Sequence, residues 1–241
     1  MWGLSTAGAV VSVLVVFLGA TVQGSIGIGL GLVAAPVLAF ADPAFVPGTI
    51  VISVLPLTVM VAWADRAVVA RRDVVIALLG RLPGVIAGAA VAAAVSDRVL
   101  AVLVAVSVLT AVGLSLTGWR VPLTDRALVG AGAASGFTGT TTGVGGPPMA
   151  LTYQHHDPAV MRGTISAFFF FGALLSTGAL WAAGEIGPRQ LELSLLLVPF
   201  VVLGALTARA LSRQLRPEVV RPAVLAVCAA SAVVLLVDSL V

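Results

Sequence analysis

Three consecutive hydroxyls, Thr140, Thr141 and Thr142, lead into a glycine-rich turn with Gly143, Gly145 and Gly146, and Pro147 and Pro148 follow at once. A hydroxyl donates a hydrogen bond without bringing a fixed charge, and glycine lets backbone come close to a ligand. A helix that restarts after such a break offers unpaired N–H groups and the positive end of its dipole, and together these form a site for an anion. Ser25 sits in a comparable stretch, Gly24 to Gly31, near the other end of the chain. Other reactive groups are few. His155 and His156 beside Asp157 could titrate near neutrality or hold a metal, but with no cysteine nearby and one adjacent carboxylate they read as a polar loop. Ser135 with either histidine falls short of a serine-protease dyad, which needs contact at about 3 Å, because the histidines lie at the loop end of the segment. No enzyme activity, metal or cofactor is expected.

The chain around these residues is oil. Of its 241 residues 60% are hydrophobic and 10% are charged, against about 25% charged in soluble domains. No charged residue lies between Arg126 and Asp157, so the Thr/Gly/Pro run is not a surface loop. An all-α polytopic membrane protein follows, forming one transport-type membrane domain over 1–241. The net charge of +3 arises from arginines, with no lysine and no basic patch interleaved with aromatics, so nucleic acid is not an expected partner. Cys228 reads as a small apolar packing residue, and the four phenylalanines at 168–171 as a packing or lipid-facing surface. The apolar N-terminal stretch lacks the basic start of a signal peptide and is read as part of the fold.

Runs of about 20 apolar residues bounded by charges predict full spans near 45–64, 74–95, 99–117, 162–183, 190–211 and 222–240. Two segments, 6–41 and 127–154, instead have an apolar arm, a glycine-rich break and a second arm. The halves 1–120 and 121–241 repeat each other. At an offset of 112, Gly24, Gly27, Gly31 and Pro36 fall on Gly136, Gly139, Gly143 and Pro148. At 115, Pro43, Gly48 and Thr49 fall on Pro158, Gly163 and Thr164, and at 116, Pro83 and Gly88 fall on Pro199 and Gly204.

The arginines orient the repeats. If each broken segment crossed once, the loops would carry seven arginines on one side and six on the other, against the positive-inside tendency. If each enters and leaves by one face, eleven (66, 71, 72, 81, 120, 126, 162, 209, 213, 216 and 221) gather inside, and Arg98 and Arg189 stay outside. Each half then has one re-entrant helical hairpin and three transmembrane helices, so the second repeat is inverted, an architecture of secondary transporters. Irregular backbone is tolerated at membrane depth only when buried in protein or lining a wet cavity, so the two breaks are expected to meet inside. Arg81 and Arg162 read as anchors near helix ends rather than as substrate clamps.

The stretches "VQGSIGIGLGLVAAPVL" and "ASGFTGTTTGVGGPPMAL", one opening each half, resemble the paired signatures of the sulfite exporter TauE/SafE family, also called the toluene sulfonate uptake permease family. The resemblance runs from Gln23 to the last helix. It implies a transporter of sulfite, thiosulfate, organosulfonates or related sulfur anions, coupled to an ion gradient. Carried over by position, it adds Gln23, Gly24, Gly27, Gly31 and Pro36 in the first half, and Gly136, Gly139, Gly143, Gly146, Pro147 and Pro148 in the second. Ile26 and Ile28 stand where an aromatic is expected. The substrate-binding set expected is then Gln23, Gly24, Ser25, Gly27, Gly31, Gly139, Thr140, Thr141, Thr142, Gly143, Gly146 and Pro147. Expected partners are the small sulfur-containing anion, the lipid bilayer, a proton or sodium ion for coupling, and a second copy in a homodimer. The expected setting is a bacterial-type inner (plasma) membrane, crossed several times. The alternative function is an anion channel, or a uniporter for another small carboxylate or oxyanion.

Topology is directly testable. In a Cys228→Ala background, a cysteine at Ser5 is expected to react with an impermeant thiol reagent added outside the cell, and one at Ser212 to be protected. The opposite labelling pattern overturns the inverted arrangement.

Overall fold

The computed structural model describes residues 4–27, 29–117, 121–153, 156–211 and 217–240, and the regular structure among them is helical. Ten α-helices run in order: α1 Thr6–Ile26, α2 Leu30–Ala41, α3 Gly48–Ala64, α4 Arg71–Ala94, α5 Asp97–Leu116, α6 Asp125–Thr142, α7 Gly146–Tyr153, α8 Pro158–Ala182, α9 Pro188–Leu211 and α10 Pro217–Leu240. A 3₁₀ turn, Pro43–Phe45, precedes α3. Local signals set several boundaries. Ser5 Oγ accepts from Gly8 N at 3.0 Å at the start of α1, and Asp157 Oδ1 accepts from Ala159 N at 2.8 Å at the start of α8.

Six helices, α1, α4, α5, α8, α9 and α10, are long and apolar enough to cross a bilayer. Five of these are spans expected from hydropathy. The sixth differs: α1 alone has 21 residues, whereas the expected span at 45–64 becomes the 17-residue α3 because the chain first makes the 3₁₀ turn.

Both broken segments end their first arm in the same way. Gly27 and Gly143 each adopt φ 75°, the left-handed conformation that closes a helix at low cost for glycine. Gly27 N–H donates to Gln23 O at 2.9 Å and Gly143 N–H to Gly139 O at 3.1 Å. The chain then doubles back. A Cβ on Gly19 would lie 3.5 Å from Val33 Cβ, and one on Gly145 would lie 3.2 Å from Gly139 Cα. These matching caps lie 116 residues apart, the spacing that also separates Pro83 from Pro199, whereas the glycine alignment in the sequence places the breaks at an offset of 112. The difference of four residues is about one helical turn, so both offsets bring glycines to one helix face.

Helices meet through small residues. Along α4 and α6, a Cβ on Gly80, Gly84, Gly132 or Gly136 would fall within 2.1 to 2.5 Å of a backbone atom of the other helix. Close backbone approach of this kind drives helix association where lipid removes the hydrophobic force between helices. Likewise α1 lies on α9, where a Cβ on Gly204 would sit 2.6 Å from Phe17 O. Most of the remaining pairs follow a pattern: α3 packs on α8, α5 on α10, α3 on α9, α8 on α4, α10 on α2 and α5 on α7. Exchanging the two halves maps each of these onto itself or another in the set, whereas the packing of α2 on α5 and of α5 on α6 has no counterpart of comparable extent among the described residues. Cys228 is buried in the α5–α10 core with Val104 and Val108, as a small packing residue. Leu79, Ile86, Leu195 and Leu206 project outward, which suits a lipid-facing surface.

The glycine seam makes a stability prediction. Gly84→Ala places a methyl 2.1 Å from Ala133 O and is expected to lower the melting temperature of the detergent-solubilised protein, through overpacking of about 1–3 kcal/mol. Gly178→Ala, with nothing within 4 Å, is the control and leaves it unchanged or slightly raised.

Candidate functional site

The two breaks meet in the interior. A Cβ on Gly31 would lie 1.9 Å from Gly143 O, and one on Gly146 would lie 3.3 Å from Gly29 N. Between them and α3, α4 and α8 is a cavity of about 50 Å³, whose wall includes Gln23, Gly29, Gly31, Gly139, Gly143 and Gly146. Water needs about 10–15 Å³ by the same kind of measure. The cavity therefore holds a small ion or a few waters.

Its dominant group was not in the expected set. Arg81 lies well inside α4, is 3% exposed, and reaches the cavity. Its Nη1 donates to Ser135 Oγ at 2.9 Å on α6, and its Nη2 to Ser176 Oγ at 3.3 Å on α8. The guanidinium carbon lies 5.0 Å from the Phe168 ring centroid, a cation–π contact. Ser135 Oγ in turn donates to Gly145 O at 2.6 Å, so the cation is tied directly to the second break. Arg81 Nε has no hydrogen-bond partner, and no Asp or Glu is among the residues lining the cavity. An arginine stays protonated in proteins. This is a buried positive charge held by neutral groups, and it corrects the reading of Arg81 as an anchor at a helix end. The room for it is made by Gly172, where a Cβ would come within 2.5 Å of Arg81 Nε.

Gln23 stands on the first break. Its Oε1 accepts from Leu30 N and so caps the start of α2 across the turn, while its Nε2 is buried and without a partner. The two residues that carry these unsatisfied donors, Arg81 and Gln23, line one cavity together with the starts of α2 and α7. Buried polar groups are nearly always paired, so two orphan donors on residues around one space mark it as a candidate site for an acceptor.

The remaining expected residues divide. Ser25, Gly146 and Pro147 line a second cavity of about 200 Å³, which also has His156 and Arg221 on its wall. Gly29, Leu32 and Gly146 are common to both cavities, so the larger one leads from the inner site toward the ends where α8 and α10 begin. Gly24, Gly27, Thr140, Thr141 and Thr142 line neither. Gly24 packs on α9, where a Cβ would meet Ala208 Cβ at 2.7 Å. The Thr141 hydroxyl bonds to Phe137 O at 2.8 Å and Gly88 O at 3.2 Å, and the Thr142 hydroxyl to Thr138 O at 2.8 Å. Thr140 acts at one remove: its hydroxyl meets Ser176 Oγ at 2.7 Å, and Ser176 accepts from Arg81. Three successive helical residues point about 100° apart, so three threonines cannot share one ligand.

Other residues also find their places. Arg162 forms a bidentate pair with Asp65, at 2.7 and 3.1 Å, away from the cavity, in keeping with an anchoring role at a helix end. Of the four phenylalanines, Phe168 lies under Arg81 and Phe169 lines the cavity, whereas Phe171 faces outward. His155 lies outside the described residues, and His156 tilts against the Tyr153 ring.

A family model described as Sulfite exporter TauE/SafE matches residues 12–235, from within α1 to within α10 and across both breaks. Comparison with curated proteins and with solved structures finds no match.

Thr141→Val separates packing from binding. The variant removes a hydroxyl held in the α4–α6 seam, so it is expected to cost about 0.5–1.5 kcal/mol of stability and to leave anion affinity at the wild-type value. A clear loss of affinity in a well-folded variant would return Thr141 to the site.

Proposed function

The chain belongs to the sulfite exporter TauE/SafE family, and from that premise we propose that it is a secondary transporter that moves a small sulfur-containing anion across a bacterial-type inner membrane by alternating access. The observation that carries this reading is Arg81: a buried cation without a counter-ion, at the place where two helix breaks meet. The anion sits between Arg81 and Gln23, with the start of α2 adding its partial positive charge; the first turn of α7 contributes less, because Pro147 and Pro148 carry no N–H. Gly29, Gly31 and Gly146 keep the backbone near it, since a Cβ at any of them would come against the other break, and a Cβ on Gly143 would press on Ile50.

Two inverted repeats with re-entrant hairpins account best for the fold. The doubling back at Gly27 and Gly143, and the way helix pairs exchange when the halves are exchanged, support that arrangement. Removing Arg81 from the loop count leaves ten arginines inside against two outside, so the orientation argument stands. The larger cavity, with Arg221 and His156 on its wall, is then the route from the cytoplasmic side. Among the described residues, no carboxylate lines either cavity.

Gln23→Glu is the sharpest test. It keeps the oxygen that accepts from Leu30 N, removes both amide donors, and sets a negative charge beside Arg81. In proteoliposomes loaded with sulfite, thiosulfate or an organosulfonate, flux is expected to fall at least about tenfold, equivalent to 1.4 kcal/mol. Arg81→Gln is expected to abolish flux. Wild-type flux in either variant, with normal expression and melting temperature, removes this cavity from the transport path.

A further inference from the structure

We propose that this cavity selects by charge: it takes singly charged anions whose head group only accepts hydrogen bonds, typified by a short alkanesulfonate, and discriminates against doubly charged sulfur oxyanions and against zwitterions. The inference rests on the reading of the Arg81 cavity as the transport site and specifies what that site admits.

Charge balance is the first argument. Among the described residues, Arg81 is the one charged residue on the cavity wall, and it is not paired with a carboxylate. A monoanion therefore makes the loaded site neutral. A dianion leaves a net negative charge among Leu32, Ile50, Val54 and Phe169, where desolvation is not repaid by a second cation. Neutral donors and helix starts moderate that cost without cancelling a full charge.

The polarity of the free groups is the second. Gln23 Oε1 is occupied by Leu30 N–H, Ser135 Oγ both accepts from Arg81 and donates to Gly145 O, and Ser176 Oγ is bonded to Thr140 Oγ1 and Arg81. What these two cavity-lining residues leave unpaired is donors, Arg81 Nε–H and the Gln23 amide N–H groups. A sulfonate head has three equivalent acceptor oxygens and no proton to place. An ammonium group, as in taurine, brings donors that find no carboxylate here. The third argument is shape: a cavity of about 50 Å³ with half its wall apolar suits a tail of one or two carbons.

The test compares ligands on the wild-type protein, so it does not depend on a variant folding. Binding of methanesulfonate, ethanesulfonate, sulfate, thiosulfate and taurine to the purified protein is measured by calorimetry at constant ionic strength. Methanesulfonate and ethanesulfonate are expected to bind, the two dianions at least about tenfold more weakly, and taurine not at all. In proteoliposomes, methanesulfonate flux is expected to stay flat across the neutral pH range, because its sulfonate carries one charge and no proton throughout. Sulfate or thiosulfate binding as tightly as methanesulfonate, or methanesulfonate failing to bind, overturns the charge rule. The two levels are kept apart by Arg81→Gln. If all binding is lost in that variant but dianions match monoanions in wild type, the site stands and the charge rule falls. If binding persists unchanged, the site itself is misassigned. Arg81→Lys, which keeps the charge, is expected to retain the order of ligands at lower affinity, and a reversed order counts against the proposal.

Discussion

Irregular backbone inside a membrane must find its hydrogen-bonding and packing partners within the protein, and the rest of this structure is arranged around that requirement. The first break closes on itself through Gly27 N–H to Gln23 O, and its outgoing helix is capped by the Gln23 side chain. The second closes through Gly143 N–H to Gly139 O, and its Gly145 carbonyl is held by Ser135. Each break then covers the other, Gly31 on Gly143 and Gly29 on Gly146. Only glycine permits contact this close, which explains why the interruptions are glycine-rich at both places.

Arg81 exists within that arrangement because α4 and α6 touch backbone to backbone. Gly80 and Gly84 flank it on α4, and Gly132 and Gly136 face it on α6. With the helices so close, a guanidinium between them has Ser135 and Ser176 within reach and Phe168 beneath it, and bulk water is excluded. Polar neighbours hold the cation's geometry but do not neutralise it. A buried charge in this condition is costly and is retained in membrane proteins at functional sites. The same seam that stabilises the fold therefore builds the field at the cavity.

Much of the scaffold was legible in the sequence. Apolar runs ended by charges or prolines marked α4, α5, α8, α9 and α10 to within a few residues, and clustered glycines marked both breaks. Three things were not. Arg81 was counted as a loop marker although it stands inside the run 74–95, because hydropathy treats any arginine as a boundary. The signal that could have placed it is the four-residue spacing of Gly80, Gly84 and Gly88, a stripe that presses one face of α4 against a neighbour. The threonines were read as ligand donors because hydroxyls are rare in such surroundings. In a helix, however, a threonine bonds readily to the carbonyl four residues back, as Thr141 and Thr142 do. Nor was the 116-residue spacing of the two glycine caps legible, since glycine and proline are frequent enough here for an alignment at 112 to match nearly as well.

The two halves are alike in their contacts and unlike in their charge. At an offset of 116 the counterpart of Arg81 is Leu197, fully buried in the apolar core. The glycine seams divide the helices differently from the repeats: α4 and α6 form one tight pair and α1 and α9 the other. Arg81 belongs to the first pair, with its ties to Ser135 and Gly145, whereas Gln23 belongs to the second, with its cap on α2. Between the pairs, the described residues show glycine backbone touching at Gly31 and Gly143 and at Gly29 and Gly146, with no backbone hydrogen bond joining them. The cavity lies at that contact, and the two residues with orphan donors stand on opposite sides of it. Elsewhere the pairs are joined through α3 and α8, which pack on each other and on α9 and α4, so an anion in the proposed site would add a polar bridge to a joint otherwise made by packing.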